Sequence, residues 1–254
     1  MTESTQPCCA VILPACDEEP CIAAVLTELH AALDPSRFVL AVGVNDSRDR
    51  TADIAREHGA IVGETAARGY GHGCQAAIDE LARRGPTVDA YIFFAADGAN
   101  DPRDILPLVA AHVRGADMVL GSRTTERRNC TAMNAHYIVA NRAFGILVGL
   151  LTGRFFTDLG PLRLIERDLF HSLHLREWTY GWTIEAQIRA VQLGAKIVEI
   201  PVCERPRIAG EQKVGRVSWA RTLSVGMKIA TAGIRSRFVT VQPREPVAAH
   251  LAAH

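Results

Sequence analysis

Between residues 10 and 120, short apolar runs alternate with stretches whose apolar residues recur at helical spacing. Nothing else in the chain limits its fold as strongly. The runs at 10–13, 38–44, 60–62, 91–94 and 118–120 have strand length. Between them, residues 18–33 carry Ile22, Val25, Leu26 and Leu29 at i, i+3, i+4, i+7, which predicts a helix. Further helices are expected over 51–58, 73–84 and 102–113. Strand–helix alternation of this kind predicts an α/β fold, a mostly parallel sheet with helices on both faces. The second half is less regular. Helices are expected over 134–151, 183–193 and 217–238, with strands over 162–165 and 196–202. One domain over residues 1–239 is expected, followed by a disordered tail at 240–254 rich in Pro, Ala and His.

In an open parallel sheet, ligands bind beyond the carboxyl ends of the strands. Here Asp17, Glu18 and Glu19 follow the first strand, Asn45 and Asp46 the second, and Asp97, Asn100 and Asp101 the strand at 91–94. Taken alone, Asp17 also reads as a helix cap, as does Asp46 or Ser47. Together the acids predict one polar site, in which carboxylates would meet a ribose, a base or a metal. Basic residues form a second set. Arg68 opens Arg-Gly-Tyr-Gly-His-Gly, Arg123 follows the strand at 118–120, and Arg205, Arg207 and Lys213 follow the strand at 196–202. Guanidinium forks suit phosphate oxygens, although each is also compatible with a solvated surface. The glycines at 69, 71 and 73 precede a helix and suit a close backbone approach to phosphate. They do not follow the first strand, so they are no dinucleotide fingerprint.

The charge balance narrows the function classes. With 28 basic and 28 acidic residues the chain has no net field to attract nucleic acid, and no basic-aromatic module for it. Seven cysteines, odd in number and without a C-x-x-C pair, read as free thiols in a reducing compartment. No G-x-S-x-G elbow signals a hydrolase. The start, MTESTQPCC, is acidic and polar, unlike a secretory signal. The apolar stretch at 137–151 carries Asn141 and Arg142 and falls short of the ~20 residues of a membrane span. A cytoplasmic chain is expected. The basic helix at 217–238 either packs on the domain or lies on anionic lipid at the inner membrane face.

Several segments, in order, resemble the family-2 glycosyltransferases, the group containing the dolichyl-phosphate mannose synthases. VILPACDEEP resembles their first strand and loop, and VGVNDSRDRTADIA the second. RGYGHGCQAAI resembles the loop and helix after strand three, FFAADGANDP their D-x-D segment, and DMVLGSR the strand that follows. TDLGPLRLI, YGWTIEAQIRAVQLGAKIVEIPV and RPRIAGEQK resemble the acceptor half. The resemblance implies the GT-A (Rossmann-like) fold, with a donor half over about 10–123 and an acceptor half over about 124–239. It also implies a UDP- or GDP-linked sugar donor and inversion at the anomeric carbon.

Carried over by position, Pro14, Ala15, Asp17, Glu19, Asn45 and Asp46 would line the base and ribose, with Arg68 and Gly69 beside the nucleotide. Asp97, the second Asp of D-x-D, would face the diphosphate and a divalent metal, Mg or Mn. Arg123, Arg205, Arg207 and Lys213 would surround donor and acceptor phosphates. Ala95 replaces the first Asp of D-x-D, which removes one oxygen ligand and puts the metal in question. Asn45 stands where an acid is common, and Gln212 where a Ser is usual. A hydroxyl acceptor needs a base, for which Glu185 and then Asp158 are the candidates. A phosphate acceptor needs none. A phosphorylated acceptor such as a polyprenyl phosphate, a soluble small-molecule acceptor and a non-catalytic sugar-nucleotide binder all stay open, as does a homo-oligomer.

Overall fold

The computed structural model describes residues 8–125, 135–209 and 219–238; the tail at 240–254 and Lys213 lie outside them. Strand β1 (Cys9–Ala15) is apolar throughout and buried on both faces, as a central parallel strand must be. Val11, Leu13 and Ala15 enter one core cluster, while Ala10 and Ile12 enter the other. That alternation splits the interior into two layers around the sheet. The first layer takes its helical residues from α1 (Glu19–Ala32), α2 (Thr51–Glu57) and α4 (Ile105–Val113). The second takes them from α3 (Tyr70–Arg84), α5 (Ala135–Thr152), α6 (Arg167–Leu173), α7 (Trp182–Gln192) and α8 (Trp219–Arg237).

The remaining strands are β2 (Phe38–Asn45), β3 (Ile61–Thr65), β4 (Ala90–Phe93), β5 (Met118–Ser122), β6 (Arg163–Glu166) and β7 (Ile197–Pro201). They form one seven-stranded sheet in the order β3-β2-β1-β4-β6-β5-β7. All pairings are parallel except those of β6, which runs antiparallel to both β4 and β5. The expected mostly parallel α/β sheet with helices on both faces is what forms.

Two features of this order position the site. The chain winds from β1 outward to β3, then returns to place β4 on the other side of β1. The crevice at that switch point opens between the loops after β1 and β4. Because β6 is reversed, its entry lies at the same edge as the exits of β4, β5 and β7. The loop before β6, with Asp158, therefore meets the loops carrying Asp97, Arg123 and Arg205.

Several boundaries differ from the sequence reading. Helix α3 begins at Tyr70, not 73, so Gly71, expected ahead of the helix, lies within it. Helix α6 was not expected, because seven residues span too few turns to show a period. Residues 102–104 form a 3-10 turn ahead of α4.

The glycines let α3 touch the sheet. A Cβ on Gly43 would lie 1.7 Å from the Gly73 carbonyl oxygen, a backbone atom that cannot turn aside. Gly43→Ala is expected to cost about 3 kcal/mol in urea denaturation, at the upper end of overpacking. Gly115→Ala, at φ +94 with open space around it, is expected to cost about 1 kcal/mol from backbone strain alone.

Candidate active site

The loops after β1 and β2 are braced against each other. Asp17 Oδ1 accepts from the Arg48 N–H at 2.8 Å, and the Asp17 N–H donates to Ser47 Oγ at 2.7 Å. Glu19 Oε2 accepts from the Arg50 N–H at 2.9 Å. The Glu18 N–H donates to Thr51 Oγ1 at 2.9 Å. Asp49 accepts from the Glu19 and Thr51 N–H groups, each at 3.0 Å. Asp17 and Asp46 take the left-handed backbone conformation, with φ of 51° and 50°. Asp and Asn tolerate that region better than most residues, which places them at these tight exits.

The capping alternative for Asp17 and Asp46 does not hold. The N-cap of α1 is Glu18 and that of α2 is Arg50, neither with a side-chain cap bond. Asp17 is exposed, and Asp46, half-buried, lies 3.6 Å from the exposed Arg68 guanidinium. Ala15 and Asn45 are buried, and Pro14 and Asn45 pack against Gly73. Gly69 opens α3 at φ +152. The close phosphate approach expected of the next two glycines is replaced by packing. A Cβ on Gly71 would strike the Trp182 ring, and one on Gly73 would meet Asn45 and Pro14.

Across the crevice, acids and arginines interlock. Asp97 Oδ1 accepts from the Ala99 N–H at 3.0 Å, and Oδ2 pairs with Arg207 Nη1 at 3.3 Å. Arg207 Nη2 also holds Glu18 Oε2 at 2.5 Å. Arg205 Nη2 donates to Glu28 Oε2 and to the Asn100 carbonyl, both at 2.7 Å. Asn100 is fully buried, and its Oδ1 accepts the Ala95 N–H at 3.0 Å. That bond fixes the turn in which Ala95 replaces an acid. Arg123 grips Asp158 through Nε at 2.8 Å and Nη2 at 3.0 Å, and reaches Glu204 through Nη1 at 3.5 Å. Burial works against the Arg123 charge, and the Asp158 and Glu204 carboxylates more than offset it, raising its pKa.

Neither expected base is presented to solvent. Glu185 is 1% exposed; its Oε2 accepts the Arg176 and Glu177 N–H groups at 2.9 and 2.7 Å, and its Oε1 pairs with Arg189 at 2.6 Å. It ties α7 to the turn before it. Asp158 is equally buried under Arg123. Glu204 is the carboxylate that sequence reasoning passed over. Burial pushes its pKa up to about 7, against the pull of Arg123, and the Asp158 and Asp97 charges add to the rise. Only its place directly after an expected strand hinted at it. Glu18 was read as part of an acidic loop, without its ion pair to Arg207.

The metal expected at Asp97 finds one carboxylate there, already shared with a guanidinium. Among the described residues no group of three His, Cys, Asp or Glu side chains could hold a cation. A Mg or Mn ion at a diphosphate takes one or two protein carboxylates and fills its shell with phosphate oxygens and waters, so Asp97 would suit it as a single protein ligand.

The profile of Glycosyl transferase family 2 matches residues 10–173. A dolichyl-phosphate hexose transferase of Haloferax volcanii is 32% identical over 247 residues, covering 93% of this chain and 99% of that one. An uncharacterized glycosyltransferase of Mycobacterium tuberculosis is 31% identical over 206 residues, covering 80% and 88%. Glucosyl-3-phosphoglycerate synthase from Mycobacterium tuberculosis, solved with Mn2+, UDP-glucose and phosphoglyceric acid, superposes with a TM-score of 0.67 at 16% identity, covering 92% and 81%. The chain belongs to glycosyltransferase family 2 and has the GT-A fold, an enzyme class that transfers sugars.

Glu204 gives the site a measurable signature. Between its ordinary value of 4.5 and about 7, the folded state keeps a proton that the unfolded chain has lost. Stability is therefore expected to fall as pH rises through that window. Urea denaturation at pH 5 and pH 8 should show the decline reduced in Glu204→Gln by on the order of 2 kcal/mol.

Proposed function

We propose that the chain moves a hexose, with inversion, from a UDP- or GDP-linked donor to a polyprenyl phosphate or another phosphorylated acceptor. The observation that carries this reading is the convergence of Arg123, Arg205 and Arg207 on the edge where Asp97 and the β1 loop also end. Arg205 and Arg207 meet their carboxylates through single Nη contacts that a phosphate oxygen can replace, while Arg123 stays on Asp158 and adds its charge to the edge.

In this reading the braced β1 and β2 loops hold the base and ribose, with Asp17 and Asp46 turned toward the crevice. Arg68 and Gly69 lie at its rim. Arg207 leaves Asp97 and Glu18 for the donor diphosphate and stabilises the charge that grows on it as the sugar departs. Asp97 orients that guanidinium. Arg123 and Arg205, with Lys213, hold the acceptor phosphate in line with the anomeric carbon. A phosphate oxygen is ionised already, so attack needs no base, in keeping with the burial of Glu185 and Asp158 under arginines. The polyprenyl class is supported by the dolichyl-phosphate hexose transferase that matches almost end to end.

One observation favours a second reading, a soluble acceptor that attacks through a hydroxyl. Glu204, with its pKa near 7, is tuned as a general base and lies by Arg123. The structural similarity to glucosyl-3-phosphoglycerate synthase points the same way.

Calorimetric titration with UDP and GDP, followed by turnover assays, separates the outcomes. One nucleotide is expected to bind, with Arg207→Ala weakening it about tenfold, the value of one charge-assisted contact. Mn2+ alone is expected to bind no tighter than about millimolar. Release of nucleoside diphosphate on adding a polyprenyl phosphate would support the first reading. Release only with a soluble hydroxyl acceptor, falling below pH 7 and abolished by Glu204→Gln, would support the second. Binding of neither nucleotide would count against both.

A further inference from the structure

We propose that the outer faces of α5 and α8 dock the chain on a bilayer surface rich in anionic lipid. The lipid-phosphate acceptor proposed above gives such a surface a use.

The outward stripe of α5 is Val139, Arg142, Ala143, Ile146 and Leu150, spaced i, i+3, i+4, i+7, i+11. A solvent-facing stripe should be polar. Here Val139 is 68% exposed, Ile146 52% and Leu150 75%. Phe155, 60% exposed, folds back over Gly149 and extends the patch. Helix α8 repeats the pattern. Ala232, Gly233 and Ser236 face inward, while Met227, Ile234 and Phe238 face out. The two helices pack together, and Arg237 Nε donates to the Leu151 carbonyl at 2.7 Å, joining their C-terminal ends.

The charge on the two helices has one sign. Neither α5 nor α8 contains an Asp or Glu. Arg142, Arg154, Lys228, Arg235 and Arg237 lie among the exposed apolar side chains. Beside α8, a groove of about 360 Å³ brings Tyr180, Lys228 and Arg235 together, with Glu177 its single acid. Apolar side chains rimmed by cations match an interface of acyl chains under anionic headgroups. A second copy of the same face would set cation against cation, because a two-fold contact pairs each patch with itself. No helix among the described residues is long and apolar enough to cross a membrane, so the contact is one of lying on the surface.

The face also leads to the site. Arg142 donates to the Thr124 carbonyl at 3.1 Å, next to Arg123. An acceptor whose lipid stays in the bilayer would thus present its phosphate at the arginine edge.

Co-sedimentation with vesicles of phosphatidylcholine, alone or mixed with phosphatidylglycerol, tests this. The wild-type chain is expected to bind the mixed vesicles at least about tenfold more tightly than the neutral ones. Ile146→Glu with Leu150→Glu should cut binding to the mixed vesicles about tenfold or more. Lys228→Glu with Arg235→Glu should weaken binding to the mixed vesicles by about fivefold per charge and leave neutral vesicles unaffected. All four positions are exposed, and unchanged thermal unfolding verifies the variants. No binding to mixed vesicles by the folded wild-type chain overturns the proposal. Binding indifferent to the Ile146 and Leu150 changes overturns it too. So does a dimer in sedimentation velocity that those changes break while vesicles stay unbound. Nucleotide titration of the same samples reports separately on the donor site, so a failed donor reading and a failed docking face give different results.

Discussion

The buried Arg123–Asp158 pair joins segments that leave and enter the sheet at one edge. Arg123 follows β5, Asp158 precedes the reversed β6, and Glu204 follows β7. Taking this group out of water costs more than a surface pair would, and only the two-pronged geometry offsets it. The Arg123 N–H adds a further bond to Asp158 at 2.9 Å. With that carboxylate saturated, Glu204 sits in a field of negative charge and burial that Arg123 only partly relieves. The shifted acid, the buried arginines and the meeting of three loops follow from one reversed strand in an otherwise parallel sheet.

The β1 and β2 loops, proposed above to hold the donor, obey a different constraint. Asp17, Glu19 and Asp49 are tied into neighbouring backbone N–H groups, so the β1 and β2 loops brace each other before any ligand arrives. Preorganised polar groups need not reorder on binding. Opposite them, Arg207 bridges Asp97 and Glu18, and in the proposed reaction it is the group that trades partners. Rigid recognition on one side and exchangeable ion pairs on the other suit a donor whose base stays fixed while its diphosphate gains charge.

The central parallel strands were legible because they are buried on both faces and read as unbroken apolar runs; residues 10–13 and 38–44 fall inside β1 and β2. The acids after them were legible because the topology fixes where strands end. Other features depend on distant partners. Glu18 meets Arg207 from 189 residues away, and no local pattern announces that pair. Gly71 and Gly73 looked like a phosphate loop, because the close approach of α3 to β2 and to Trp182 is invisible in one dimension. Glu185 looked like a base near the start of an expected helix, whereas its partners Arg176, Glu177 and Arg189 make it an internal tie. The reversal of β6 left no trace in a four-residue strand.

Hydrogen–deuterium exchange with and without saturating UDP or GDP tests most directly that the crevice between the β1 and β4 loops holds the donor. Slowed exchange is expected in peptides covering residues 15–19, 46–50 and 95–101, with α5 and α8 unchanged. Protection elsewhere, above all in the groove between residues 177–181 and α8, would contradict that assignment and move the donor to the other side of the molecule.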